Sequence, residues 1–238
     1  MGRAFEYRKA TKLKRWASMA KTFTKLGRQI TVAVKDGGSD PEANPRLRML
    51  IQNAKAANMP KDNVERAIKK ATEKNHDDWK EVVYEGYGPF GVAVMVETTT
   101  NNNTRTVGAV RSYFNKAGGS LGTTGSVEYM FEHQCHFKVE AKEGIDLEEL
   151  ELDMIDAGAN EIFEEDGKII IYGAFESYGS IQSYLEDNDF EIISSEFERI
   201  PTTTKELNEE ETVVFEKMLA KFEEDEDVTN IYHTVAGL

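Results

Sequence analysis

A change of apolar period near Trp79 restricts the fold of this 238-residue chain more than any other feature. Upstream, apolar residues recur at helical spacing; downstream, runs rich in Val and Tyr alternate with turn residues. Met19, Phe23, Leu26, Ile30 and Val34 lie on one helical face, which predicts a helix from about Ala17 to Lys35. Gly37-Gly38 ends it, because Gly accepts the left-handed conformation of a helix C-terminus at little cost. Asn44-Pro45 opens the next helix as N-cap and first-turn Pro. Within Arg46–Thr72, Leu47, Leu50, Ile51 and Ala54 form one apolar stripe, and Val64, Ala67, Ile68 and Ala71 form a second. Asn58-Met59-Pro60 separates them, since Pro fixes φ and pushes the preceding residue out of the α region. The first 75 or so residues therefore read as three helices on one core.

After Trp79 the spacing predicts strands over Glu81–Tyr87 and Gly91–Thr99, joined as a hairpin. A helix from about Thr104 to Lys116 follows, burying Val107, Val110, Tyr113 or Phe114, and Ala117. A Gly-rich loop through Gly125 then leads into a strand, Ser126–Glu132. From about Cys135 the expected order is strand, helix, strand, strand, helix, strand: Phe137–Ala141, Asp146–Ala157, Glu161–Glu164, Lys168–Gly173, Ser177–Glu186 and Phe190–Arg199. Asp166-Gly167 is a favoured two-residue hairpin turn, and the whole order is that of a ferredoxin-like unit. After Pro201 come a helix, about Asn208–Phe222, and a strand, about Val228–His233. Residues 80–132 lack a second helix and a further strand, and the C-terminus supplies both. The expected fold is α+β in three domains: a helical domain (1–79), a discontinuous middle α/β domain (80–134 and 202–238), and an inserted acidic domain (135–201). Both α/β domains are expected to be ferredoxin-like.

Net charge is −14, which alone argues against nucleic acid, but its distribution reverses that argument. Residues 1–79 hold 18 Lys and Arg against 9 Asp and Glu, whereas the other 159 hold 11 against 34. A phosphate backbone would meet the basic module's own field. The candidate nucleic-acid contacts are Lys9, Lys12, Lys14, Arg15, Lys21, Lys25, Arg28, Arg48, Lys55, Lys61, Arg66, Lys69 and Lys70, with Arg105 and Arg111 from the middle domain. The competing reading is that these cations are merely solvated, or dock the helical domain onto the protein's own acidic body.

Other motifs carry less. Gly86-Tyr87-Gly88-Pro89-Phe90-Gly91 spells G-x-G-x-x-G, but a dinucleotide site needs those glycines to open a helix, and Val92–Val96 continues as a strand. His133, Cys135 and His136 include two neighbouring His that point to opposite strand faces, with no second ligand pair elsewhere. The acidic runs lack the spacing and turn Gly of a Ca²⁺ loop, and no Ser–His–Asp or Cys–His set has a local signature. The chain is read as non-enzymatic, without cofactor or metal. Cys135 is the sole cysteine, which fits a reducing compartment. With no apolar run of spanning length, the expectation is a soluble, cytoplasmic protein with no membrane partner.

Several runs together identify the chain as similar to the YebC/PmpR family, which includes the mitochondrial translational activator of cytochrome c oxidase. They are Phe23-Thr24-Lys25-Leu26, Asp36-Gly37-Gly38, Asn44-Pro45-Arg46-Leu47-Arg48, the run from Ala54 to Lys70, Tyr84-Glu85-Gly86-Tyr87-Gly88-Pro89, Arg105-Thr106-Val107, Gly118-Gly119-Ser120-Leu121, Gly125-Ser126-Val127, Ile200-Pro201 and Asp227–His233. The resemblance implies three domains, the last inserted in the middle one. It also implies one of two roles: DNA-binding transcriptional regulation, or a ribosome-associated role, through ribosomal RNA, that helps synthesis of proline-rich stretches. Many members begin Gly-His-Ser-Lys-Trp; here Gly2 is followed by Arg3-Ala4-Phe5-Glu6-Tyr7. A different class, a protein-interaction scaffold that uses the acidic domains as docking surfaces, stays open on the residues alone.

Overall fold

The computed structural model describes residues 19–73, 78–142 and 144–238. Three helices come first: α1 (Met19–Gly37), α2 (Pro45–Ala56) and α3 (Lys61–Thr72). Ile30, Ala33, Leu47, Leu50, Ala54 and Val64 form their shared core. Gly38, at φ +89°, turns the chain out of α1, and its N–H still donates to the Val34 carbonyl at 2.8 Å. Asn44 then ties two helices together. Its Oδ1 accepts from the Leu47 N–H at 3.0 Å, while Nδ2 donates to the carbonyls of Ala33 and Gly38 at 2.8 Å each. Asn58 takes a left-handed conformation (φ 58°) between α2 and Pro60, a cost Asn bears better than most residues.

Two four-stranded sheets follow. The first has strands β1 (Lys80–Tyr87), β2 (Ala93–Thr100), β3 (Ser120–Leu121) and β8 (Val228–His233) in the order β3-β1-β2-β8. Helices α4 (Asn103–Lys116) and α7 (Glu209–Glu224) cover one face, packing Val110, Phe114, Phe215, Met218 and Phe222 on Tyr84, Val94 and Val96. The second sheet has β4 (Phe131–Glu140), β5 (Ala159–Glu165), β6 (Lys168–Ala174) and β7 (Ile192–Pro201) in the order β5-β6-β4-β7. Helices α5 (Leu147–Ile155) and α6 (Tyr178–Asp187) pack Leu150, Met154, Ile181 and Leu185 on Phe137, Val139, Ile169 and Ile171. Asp166 and Gly167, at φ 53° and 70°, form the tight β5–β6 turn.

The architecture is the expected α+β one, a helical domain followed by two α/β units, and the strand orders separate those units. The second sheet has the ferredoxin order: its hairpin, β5–β6, lies to one side and β4 is central. In the first sheet the β1–β2 hairpin itself is central, with β3 and β8 added on its two edges. That sheet shares the ferredoxin layering of two helices on four strands, but its strand order is different.

One element moves. The expected strand Ser126–Glu132 is not part of the first sheet. Its third strand is the short Ser120–Leu121 pair opposite Gly86 and Tyr87. Residues 122–128 instead form a loop wrapped on Glu85, a buried carboxylate that accepts from the N–H groups of Gly125, Val127 and Glu128 at 2.6, 2.8 and 2.9 Å. The strand that starts at Phe131 runs on through Cys135 to Glu140 in the second sheet.

Candidate nucleic-acid interface

Lys9, Lys12, Lys14 and Arg15 lie outside the described residues. The other candidates fall into two groups with different surroundings. Lys55, Lys61, Arg66, Lys69 and Lys70 are exposed along the outer side of the α2–α3 hairpin. Arg66, Lys69 and Lys70 lie at i, i+3 and i+4, so one turn of α3 presents all three together. Lys61 pairs with Glu65 at 3.5 Å on the surface, a contact of little energy. Arg111 on α4 and Lys21 on α1 are also exposed, and Lys25 is half-buried.

Three arginines make contacts within the protein, Arg105 with its side chain still half exposed. Arg28 of α1 reaches the loop before β8, where its Nη2 lies 3.0 Å from a Glu226 carboxylate oxygen and its Nη1 lies 3.3 Å from Asp227. Its guanidinium also stacks over the Trp79 ring, 4.5 Å from the centroid. Arg105 donates to Asp227 from Nη2 at 2.6 Å and from Nε at 3.2 Å. That pairing holds the Arg105 pKa above its ordinary value. Thr106 and Thr100 donate to the same carboxylate at 2.8 and 3.3 Å. Asp227 is therefore a buried hub joining α1, α4 and the end of β2. Beside it, burial and a hydrogen bond to Asp225 raise the Tyr113 phenol to about 12. Arg28, Trp79, Arg105, Tyr113, Asp225, Glu226 and Asp227 line an open cleft between α1 and α4. Two arginines face three carboxylates there, so the cleft does not attract anions.

Arg48 is the third. It lies beside the second sheet's α6, near Tyr178, and its Nη1 comes within 3.9 Å of Glu42. Its helix, α2, docks on β7: the Asn53 side chain donates to the Ser195 carbonyl at 2.7 Å and accepts from the Ser195 N–H at 3.1 Å. Tyr178 and Phe197 pack against the helical core at this joint. Asn53 and Asp227 gave no signal as single residues in sequence. Asp227 does open the Asp227–His233 run, and Arg105 heads a second shared run.

The remaining motifs settle into structural roles. Gly86 sits where a Cβ would lie 2.5 Å from the Ser120 carbonyl oxygen, so its glycine permits the β1–β3 approach. His133 stacks on Phe175 at 4.1 Å, and burial, with Arg199 nearby, lowers its pKa to about 4. Cys135 is a core residue whose thiol burial pushes up to about 11. His136 lies on the opposite face, where its ring and the carboxylates of Glu196 and Glu198 place ligand atoms within 4.8 Å of one another.

The profile described as "TACO1/YebC protein N-terminal domain" matches residues 3–74, and that described as "TACO1/YebC second and third domain" matches residues 79–235. The chain belongs to the TACO1/YebC family. A "Probable transcriptional regulatory protein" of Porphyromonas gingivalis is 59% identical over 99% of this chain and 97% of its own length. One of the same name from Flavobacterium johnsoniae is 58% identical over 99% of both chains. The crystal structure of a conserved hypothetical protein from Aquifex aeolicus aligns with a TM-score of 0.79 and 41% identity, covering 94% of this chain and 92% of that one. The TACO1/YebC chain described here has no helix among its described residues long and apolar enough to cross a membrane.

Proposed function

We propose that this TACO1/YebC chain is a non-enzymatic regulatory protein that binds DNA through the outer face of its helical hairpin. The observation that carries this reading is the exposed group Lys55, Lys61, Arg66, Lys69 and Lys70. These cations remain on the surface after Arg28, Arg48 and Arg105 have been turned to contacts within the protein. Relatives over 55% identical along nearly their full length carry the name of transcriptional regulator, which supports the regulatory role. The basic hairpin would meet the phosphate backbone, while the acidic α/β domains are repelled from it and orient the molecule.

The test is a titration of promoter-bearing and random duplex DNA at several salt concentrations. With about six cations on phosphate, log K falls against log salt with a slope near −5. A flat salt dependence removes the reading. Promoter fragments bound no tighter than random duplex at physiological salt would remove transcriptional specificity. Co-sedimentation with ribosomes, without duplex binding, would move the ligand to ribosomal RNA.

A further inference from the structure

Helix α5 is apolar on two opposite sides. Leu150 and Met154, at i and i+4, are buried in the core of the second sheet's unit. Leu152 and Ile155, at i and i+3, share the other side and are 69% and 56% exposed. A single exposed Leu is ordinary, but two large side chains on one turn form a patch. Carboxylates surround it: Glu148, Glu149, Glu151, Asp153 and Asp156 are all exposed. The helix holds no Lys or Arg. Asp153 accepts from the Tyr184 hydroxyl at 3.2 Å, and none of the five is paired with a cation among the described residues.

Part of this charge has a reason inside the protein. Glu148 and Glu149 lie in the first turn, behind Asp146 as N-cap, where the helix dipole favours anions. Asp153 and the C-cap Asp156 lie at the other end, where the dipole favours cations, and no basic residue offsets them there. The same end of α5 therefore carries two unfavourable features, exposed apolar surface and misplaced carboxylates. One partner relieves both if it is apolar and cationic at once.

We propose that the outer side of α5 is a docking site for a cationic amphipathic helix of a partner protein. Nucleic acid and anionic membranes are repelled by the five carboxylates. A second copy that packed α5 on α5 would set the same carboxylates against each other. The basic α2–α3 hairpin of a second copy has the charge, but none of the exposed large apolar side chains lies on it. A helix offers no unpaired backbone edge, so an added strand gains nothing at α5. A partner helix with apolar residues at i and i+3 or i+4 seats them on Leu152 and Ile155, and its flanking Lys or Arg reach the carboxylates. The inference does not rest on the DNA-binding reading; it gives the chain a protein-binding surface separate from its basic hairpin.

A 14-residue Lys/Leu peptide designed as an amphipathic helix serves as probe, titrated into the full chain and followed by NMR of its Leu, Ile and Met methyls. Saturable shifts centred on Leu152 and Ile155 are expected. Leu152→Ser with Ile155→Ser should weaken binding about tenfold. Glu148→Gln with Glu151→Gln and Asp156→Asn should weaken it about threefold and flatten its salt dependence. Unchanged methyl shifts of Ile169 and Ile171 in the sheet verify that both variants are folded. Shifts centred elsewhere, or an affinity unmoved by Leu152→Ser with Ile155→Ser, overturn the proposal. Equal affinity for a Lys/Ser peptide of the same charge reduces the site to general charge attraction and overturns it as well. Shifts of the same two methyls with protein concentration alone, matched by a dimer in sedimentation, assign the face to a second copy and also overturn it.

Discussion

The outer side of the α2–α3 hairpin and the inner sides of α1 and α2 are built from the same residue types at the same helical spacings. Their cations nevertheless have opposite fates. Arg66, Lys69 and Lys70 are exposed, whereas Arg28 is held between Glu226, Asp227 and Trp79, and Arg48 sits by Tyr178 at the joint with the second sheet. The difference shows that charge density selects a module, while the tertiary partner decides whether a given cation works inside or outside. Every inward arginine faces a carboxylate that comes from another part of the sequence or from an adjoining loop. Asp227 lies 199 residues from Arg28 and 122 from Arg105. Of the readings weighed from sequence, docking onto the acidic body thus holds for Arg28, while Arg66, Lys69 and Lys70 of the same domain stay exposed.

Substitutions can break this division. The largest effect should follow Asp227→Ala, which strands Arg28, Thr106 and Thr100 around an empty buried site. We expect a loss of about 3 kcal/mol in urea unfolding, and a loss under ~1 kcal/mol would mean the hub is incidental. Next is Arg66→Glu with Lys69→Glu and Lys70→Glu. Stability should stay within ~0.5 kcal/mol, while duplex affinity falls on the order of a hundredfold and the salt slope drops by about 3. Equal binding by this variant would dissolve the distinction between outer and inner cations. Asn53→Ala removes both hydrogen bonds to Ser195 and should cost about 2 kcal/mol without touching the salt slope.

The smallest effect tests a site outside the comparison. His133 is neutral in the folded protein down to about pH 4, whereas the unfolded chain takes up a proton near the ordinary pKa of 6.5. The unfolded state therefore binds more protons in that window, and stability falls as pH drops from about 6.5 towards 4. Because the ring is only about half-buried, solvent screening limits the loss to about 1 kcal/mol. His133→Gln should abolish this part of the pH dependence in denaturant melts. A His133 NMR titration with a midpoint near 6.5 would refute it.

Local patterns made most of the elements legible. The Asn44-Pro45 cap, the Gly37-Gly38 stop, the Asp166-Gly167 turn and the four-residue steps of α1 all lie where short-range chemistry dictates them. Legibility failed where a distant partner decides. Ser126–Val127 has strand-like composition, but the Glu85 carboxylate bonds its backbone from another strand and leaves a loop. The order of the first sheet was equally hidden, since which edge β3 and β8 take is settled by packing between segments far apart in sequence. For the candidate interface, the sequence located the basic domain. It could not separate Arg28 from Arg66, because both read as exposed helix cations until Asp227 and Trp79 are in place.

The three bodies touch in a cycle. Arg28 joins the helices to the middle domain at Asp227, Asn53 joins them to the second sheet at Ser195, and Arg199 joins that sheet back to Glu97 of β2 at 3.1 Å. A ring of joints is redundant in the way a triangulated frame is: with one joint cut, the other two hold the separated surfaces at high effective concentration. Cutting a second joint leaves the helices held by weaker contacts alone, the Arg28–Glu226 and Arg46–Glu81 pairs and the packing of Tyr178 and Phe197. Asp227→Ala and Asn53→Ala together should therefore cost more than the sum of their separate losses, and the loosened molecule should expand in solution scattering where neither single variant does.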